Sequence, residues 1–458
     1  MSENAKTQKS MRTFLIIWAG QLISLIGSGL TGFGMSVYIF NQTGRATPFA
    51  LTALFSNLPR IVLSPIAGSV VDRYNRRKIM LLADTGAALT TLAAVVILFQ
   101  GALQVWHIYL IAFISAVFGS FQQPAYQASI TMLVPKKDLA RAGGIQQMGT
   151  AVQSILIPII AGVLYAAVGL EGMVLIDFGS YFFAVGALLF SHIPQPERVT
   201  DVGEEDRSMW ADALFGWKYL RERPGLFGLL WYYAAVNFFL NLSGVLNGPL
   251  VLSFGTEVEM GVVQMAGGAA MLLGGLLMGA WGGPQKRRIW GVILTIALSS
   301  FGYALMGWKA SVMTVAAGAF VTMFFIPVAA ALSQAVWQTK VAPDIQGRVF
   351  SIRAMISWSI IPLSNLVAGP LADQVFNPLL VTGGPLAGTW VSDFIGVGEG
   401  RGIGLLFVLS ALFLLVLSLG AFVYPRVRNL EHEIPDAVLD DAVVEAEEAE
   451  LASGRDQD

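Results

Sequence analysis

Apolar residues in this chain arrive in long blocks, broken by short polar stretches, and not in the alternating or one-faced patterns of water-soluble elements. About twelve blocks reach the roughly 20 residues that a helix needs to cross a bilayer. They span 13–40, 48–71, 79–99, 107–134, 142–168, 172–192, 226–252, 260–282, 289–308, 311–340, 348–372 and 403–424. Several exceed about 25 residues, which implies tilt or kinking. Gly and Pro punctuate the blocks, and backbone groups freed at membrane depth must find partners on neighbouring helices. The first block is too long for a signal-peptide core and has no convincing cleavage site, so it reads as a retained helix. The pattern predicts an all-α polytopic membrane protein.

Two polar stretches interrupt the rhythm and divide the chain. A short segment, 1–11, precedes six runs within 12–192. A linker over 193–225 carries PQPERVTDVGEEDRSMWADALFGWKYLRERP, and six more runs occupy 226–424, followed by an acidic tail over 425–458. Within the linker, Trp210 to Leu220 places Trp, Leu, Phe and Tyr on one stripe, as in a helix lying on a membrane surface. The tail is rich in acid and small residues and poor in aromatics, so it is expected to be disordered in part. The halves also echo each other. GSVVDRYNRRKIM (68–80) follows run two and GAWGGPQKRRIW (279–290) follows run eight. VPKKDLARAGG enters run five and VAPDIQGRVFS enters run eleven, each with Pro, Asp and then Arg. Corresponding breaks in two halves point to an internally duplicated transporter, two pseudo-symmetric six-helix bundles with the site between them.

Composition agrees with this reading: 55% of residues are hydrophobic, 13% are charged and the mean hydropathy is +0.65. The net charge of −2 conceals an asymmetry that orients the chain. With the N-terminus in the cytoplasm, Lys6, Lys9, Arg12, Arg73, Arg76, Arg77, Lys78, Lys136, Lys137, Arg141, Lys286, Arg287, Arg288, Arg426 and Arg428 fall on one side. The other side keeps Arg45, Lys309 and Arg401. The positive-inside rule therefore places both termini on the cytoplasmic side. There is no cysteine, and the histidines His107, His192 and His432 are scattered, so thiolate chemistry and a zinc-type cluster are excluded and neither metal nor cofactor is expected. No GxxxxGK[ST] loop occurs, so the chain does not drive itself with ATP. GVGEGRGIG (396–404) does not fit GxGxxG and reads as a flexible outer loop. No enzymatic activity and no nucleic-acid partner are expected; the expected partners are the bilayer and a small molecule, with the chain a monomer.

Gly68, Asp72, Arg73, Arg76 and Arg77 resemble the second-loop signature of the major facilitator superfamily: a Gly, three residues, Asp-Arg, two residues, then two basic residues. Asn75 stands in place of the usual glycine and is the next most tolerant residue of left-handed geometry. LPRIVLSPIAG, FQQPAYQASITMLVP and GRVFSIRAMIS resemble the drug:proton antiporter branch that includes macrolide-efflux and enterobactin-exporter-like proteins. The likeness covers about residues 12–424 and implies a secondary active exporter of amphipathic organic compounds (a macrolide-like drug, a siderophore or a peptide natural product) working by alternating access with proton antiport. It further implies a conformational latch. Asp72 faces the positive end of run eleven across the interface when the cytoplasmic side is closed, and Arg73 and Arg76 tie it, or Asp84 or Asp138, within the first bundle. Topology and loop stiffening alone also explain the cations. The second copy lacks the acid, with Gly282 or a neighbour in its place. In run five the antiporter-type resemblance rests on Gly144, Pro158, Ala161 and Gly162, with Gln153 and Ile157 where glycines are usual. Pro158 bends the helix and its small neighbours permit close contact, either to seal a leak path or simply to pack. FGSFQQPAYQ in run four lacks an arginine that many proton-coupled relatives carry.

Polar side chains within the membrane are expensive and therefore suspect. Arg60 lies about twelve residues into run two, on the order of 18 Å down, and reads as a substrate or coupling residue, as half of an internal ion pair, or as a snorkelling cation. Gln21, Ser24 and Ser28 on run one, Gln123 and Gln127 on run four, Asn237 and Asn241 on run seven, and Gln334 and Gln338 on run ten recur at three-to-four spacing. They either line a cavity or join helices. Asp177 caps or pairs locally, or carries a proton. Alternatives to export are a proton-coupled importer and a non-transporting receptor, scaffold or lipid scramblase on the same fold.

Overall fold

The computed structural model describes residues 11–134, 138–191, 193, 209–284, 286–342 and 345–437. In chain order the first half contains α1 (Met11–Thr43), α2 (Ala46–Arg73), α3 (Arg76–Phe99), α4 (Val105–Leu133) and α5 (Leu139–Phe190). Gly169 breaks α5 with φ 66° and ψ −171°, a geometry open to glycine and to few other residues. The break separates the expected fifth and sixth crossings. After α6 (Met209–Arg221), the helix anticipated in the linker, the second half contains α7 (Pro224–Leu252), α8 (Glu257–Trp281), α9 (Arg288–Trp308), α10 (Val312–Lys340), α11 (Gln346–Pro370) and, further on, α14 (Arg401–Val423). Ten segments among the described residues are long and apolar enough to cross a membrane, one of them containing the break at Gly169. With that segment counted as two and α2 added, the crossings number twelve.

Six crossings in each half place Met11, Ala437 and α6 at one end of the molecule, here called the termini end. In the first half α1 packs on α5, α2 on α4, and α3 on both α4 and α5. In the second half α10 packs on α8 and α9, α14 on α7 and α9, and α11 on α7. The halves meet along α5–α8 and α2–α11. Water does not drive helices together inside a bilayer, so small residues that let backbones approach carry much of this packing. Between α9 and α10, a Cβ on Gly302 would come within 2.5 Å of the Gly318 carbonyl oxygen.

At the far end, α11 runs through a π-helical turn (Leu371–Phe376) into α12 (Asn377–Leu380), and α13 (Trp390–Ile395) precedes α14. The stretch 396–404, expected to be a flexible loop, is tied down by the buried Arg401. Its Nε donates to the Ile395 carbonyl at 2.8 Å, and its Nη2 donates to the carbonyls of Gly307 at 2.8 Å and Trp308 at 3.1 Å. Part of the acidic tail is also folded. α15 (Pro425–Arg428) and α16 (Leu430–Glu433) lie against the termini ends of α7 and α9. Lys340, buried at the end of α10, donates to the Glu431 carbonyl at 2.7 Å and pairs with Asp436 at 2.7 Å. Residues 438–458 lie outside the described residues.

Candidate functional site

A chamber of about 580 Å³ lies between the halves. The first half contributes Phe33, Ser36, Phe49, Gln153 and Pro158; the second contributes Asn247, Gln264, Tyr303 and Phe407 with the four methionines Met260, Met271, Met306 and Met323. Among the described residues no charged side chain lines it. Methionine and aromatic walls adapt to apolar surfaces of varied shape, while the amides offer a few directional hydrogen bonds. Such a wall suits a bulky amphipathic compound.

The far end of the chamber is closed by contacts between the halves. Along α5–α8, a Cβ on Gly162 would come within 2.5 Å of the Glu257 carbonyl oxygen, and one on Gly261 within 2.5 Å of the Pro158 carbonyl oxygen. Gly268 meets the Ser154 carbonyl in the same seam. Asn41, near the end of α1, donates from Nδ2 to Glu257 Oε1 at 2.9 Å.

Along α2–α11 the closure is electrostatic. The residue before α2, Arg45, provides no side-chain cap, so the first N–H groups of α2 lack an acceptor within their own segment. Asp373, in the π-helical turn after α11, supplies both oxygens. Oδ1 accepts from Ala46 N at 2.9 Å, and Oδ2 accepts from Thr47 N at 2.7 Å and Thr47 Oγ1 at 2.6 Å. The carboxylate is 6% exposed and sits at the positive end of the α2 dipole, with Arg45 Nε 4.0 Å away. Gly369 lets the α11 backbone close on Thr47.

The residues singled out in the sequence fall into several places. Of them, Gln153, Ile157 and Pro158 line the chamber and Gly162 lies in the α5–α8 seam. Pro158 is set within helical dihedrals, and Gly169 is the break in α5. Gln21 joins helices: Nε2 donates to Asp84 Oδ2 at 2.9 Å, and Oε1 accepts from Gln122 Nε2 at 2.6 Å. Ser28 donates to Asp177 Oδ1 at 3.1 Å and Thr91 donates to Asp177 Oδ2 at 3.3 Å. Asn241 returns to its own helix, donating to the Asn237 carbonyl at 2.8 Å. Gln334 Oε1 accepts from Arg353 Nη1 at 2.9 Å, and the Gln338 carbonyl accepts from Gln346. Ser24 is half-buried, while Gln123 and Gln127 are exposed on α4, one turn and two turns from Gly119 on the same face. Arg60 points toward that face, its Nη2 3.8 Å from where a Cβ on Gly119 would stand. Arg60 is exposed, and no carboxylate within 4.0 Å pairs with it among the described residues. The ion-pair alternative for Arg60 therefore has no partner there.

The second-loop signature holds its own half together. Arg76 Nη1 donates to the Ala128 carbonyl of α4 at 2.8 Å. Arg77 donates to the carbonyls of Leu188 and Leu189 at the end of α5, both at 2.8 Å. Arg73 is exposed and Gly68 faces open space. Asp84, offered as a partner for Arg73 and Arg76, is met instead by Gln21. Asn75 is not left-handed: its φ is −63°, and its side chain caps α3 by accepting from Lys78 N at 3.1 Å. An Asn before a helix start satisfies an orphan donor, which explains the residue without a positive φ. In the second copy, Gly282 is the left-handed residue that ends α8, with φ 74°. The side chain of Asp72, the surroundings of Gly144, the segment 135–137 and the residues 343–344 ahead of α11 lie outside what is described.

Asp373, Glu257 and Arg353 were not singled out from the sequence. A signal for Asp373 existed in Ala-Thr-Pro following Arg45, a helix start with no capping residue ahead of it.

Twelve crossings in two halves, closed at one end over a shared chamber, define a multi-pass membrane protein of the transporter type. The family model for the Major Facilitator Superfamily matches residues 17–364, and the chain belongs to that superfamily. Macrolide efflux protein A of Streptococcus pyogenes is 28% identical over 375 residues, covering 79% of this chain and 90% of that protein. Multidrug efflux pump Tap of Mycobacterium bovis is 26% identical over 387 residues, covering 79% and 87%. Among solved structures, a bacterial homologue of the human lysosomal transporter Spinster, inward-facing and unoccupied, superposes with a TM-score of 0.66 at 15% identity, covering 94% of this chain and 99% of that one.

Proposed function

We propose that the chain is a secondary active exporter that moves amphipathic organic compounds out of a bacterial cell by alternating access in exchange for protons. The observation that carries this reading is the chamber that both halves line, uncharged, rich in methionine and aromatic rings, and closed at the far end by contacts between halves. Relatives named for macrolide and multidrug efflux support the drug-like class of cargo. The cation bias puts the termini end in the cytoplasm, so the conformation described here is the one that loads from inside. Two carboxylates of the first half, the half-buried Asp84 and the buried Asp177, are the candidates for the proton site. Both sit in crossings of the first bundle, are held by neutral donors, and have no cationic partner among the described residues. Arg60 is the candidate contact for an acidic group on cargo or coupling partner.

Expression in a drug-sensitive bacterium tests the proposal. Cells making the protein should accumulate less of at least one macrolide-like, cationic or acidic amphipathic compound than cells without it, and Arg60→Gln, present in the membrane at an equal level, should lose export of the acidic compounds first. Higher accumulation with the wild type would make it an importer. Accumulation unchanged across a broad panel would count against transport of this class.

A further inference from the structure

A second, smaller pocket lies at the termini end on the outer flank of the second bundle. Its volume is about 110 Å³, and Arg287, Trp290, Arg428, Asn429, Glu431 and His432 line it. Three features point to its occupant. The first is charge: Arg287 and Arg428 both reach it, and neither forms an ion pair among the described residues. The lining carboxylate, Glu431, is already committed, accepting from Ile289 N at 3.1 Å at the start of α9.

The second feature is backbone strain. Arg287 has φ 58° and ψ 40° and is the only non-glycine described residue with positive φ. A side chain held in that region persists where the surroundings over-determine it, and such positions gather at ligand-binding sites. The third is the neighbourhood. Arg287 lies over the Trp290 ring at 5.3 Å, and Trp290 meets Phe422 edge to face at 5.0 Å. Trp290 is partly exposed, as tryptophans at membrane interfaces are. Beyond it, Leu294 on α9 and Leu419 and Val423 on α14 are exposed and apolar. A basic pocket the size of a phosphate thus opens onto a greasy track along the membrane-spanning surface. A free anion would use the pocket and leave the track idle; a phospholipid uses both.

We propose that this pocket binds the phosphate of an anionic phospholipid from the leaflet on the termini side, between Arg287 and Arg428, with the acyl chains along Leu294, Leu419 and Val423. Bound there, the lipid bridges the start of α9 to the folded part of the tail.

The test uses the full-length protein, purified and stripped of lipid in neutral detergent, and titrated with phosphatidylglycerol or phosphatidylcholine under native mass spectrometry. The wild type should retain at least one phosphatidylglycerol that Arg287→Gln/Arg428→Gln binds at least tenfold more weakly, with little retention of phosphatidylcholine at the same site. Arg287→Gly guards against misfolding as the cause. It relieves the strained backbone, so it should melt no lower than the wild type and still lose the lipid. Equal retention by wild type and variants, or no preference for the anionic lipid, would overturn the proposal. So would complete displacement by millimolar inorganic phosphate, which would mark a free-anion site. Binding that appears only after removal of residues 438–458 would assign the pocket to the protein's own acidic tail.

Discussion

Asp373 gives both carboxylate oxygens to the start of a helix in the opposite half, and this makes its charge a direct handle on the closed far end. Charge-assisted hydrogen bonds are worth about 1.5–3 kcal/mol, and a partly buried charge at a helix terminus up to about 2 kcal/mol. Loss of about 2 kcal/mol shifts a two-state ratio roughly thirtyfold. Asp373→Ala should therefore raise the far-end-open population. A cysteine at Ser36, which lines the chamber, reports it on this cysteine-free background: an impermeant thiol reagent added outside should label the Asp373→Ala protein faster than its parent. Arg45→Gln should change little, because the Arg45 side chain is 61% exposed and 4.0 Å from the carboxylate, and exposed pairs contribute about 0–1 kcal/mol. Equal labelling in parent and Asp373→Ala would remove Asp373 as a gate. The role of Asp373 was hard to read in advance because its partner is backbone in a segment more than 300 residues away, and sequence patterns report periodicity and local caps. Gln21 was visible as a polar residue in an apolar run, yet its work, joining Asp84 to Gln122, depends on which helices are neighbours.

At the scale of elements the α5–α8 seam depends on the absence of side chains. Gly261→Val would drive a branched side chain toward the Pro158 carbonyl, which a Cβ alone approaches to 2.5 Å. Backbone on both sides cannot rotate away, so the helices must separate, at a cost of about 1–3 kcal/mol. We predict a lower melting temperature or a far-end-open shift for Gly261→Val. Gly68→Ala, which meets nothing within 4 Å, should fold and melt like the parent. The crossings themselves were legible as apolar runs, since a bilayer forces every span to be a helix of set length. The turn at Gly169 was legible as a gap between two runs. Less so was the folding of 425–437, because Lys340 holds that segment largely through main-chain carbonyls, which composition does not reveal. The polar candidates read from three-to-four spacing mostly became helix-joining groups, and the chamber lies instead behind Met, Phe and glycine positions that look like ordinary packing.

For the whole molecule, closure at the far end implies a second state closed at the termini end, and there the second-loop signature is proposed to act. Asp72→Asn keeps size and polarity but removes a charge expected to face the start of α11 in that state. It should slow export while leaving the far-end clasp and insertion intact, the opposite conformational bias to Asp373→Ala. The central claim is outward movement of cargo against an inward proton flow, and reconstituted vesicles with the termini end facing the bath test it most directly. With a fluorescent amphipathic compound outside and an acidic lumen, the protein should concentrate the compound inside, and accumulation should collapse when the pH gradient is dissipated. Asp84→Asn or Asp177→Asn, whichever removes the proton site, should leave only downhill movement. Concentration of the compound inside when the lumen is alkaline, or movement at the same rate with no gradient and with either carboxylate changed, would contradict proton-coupled export.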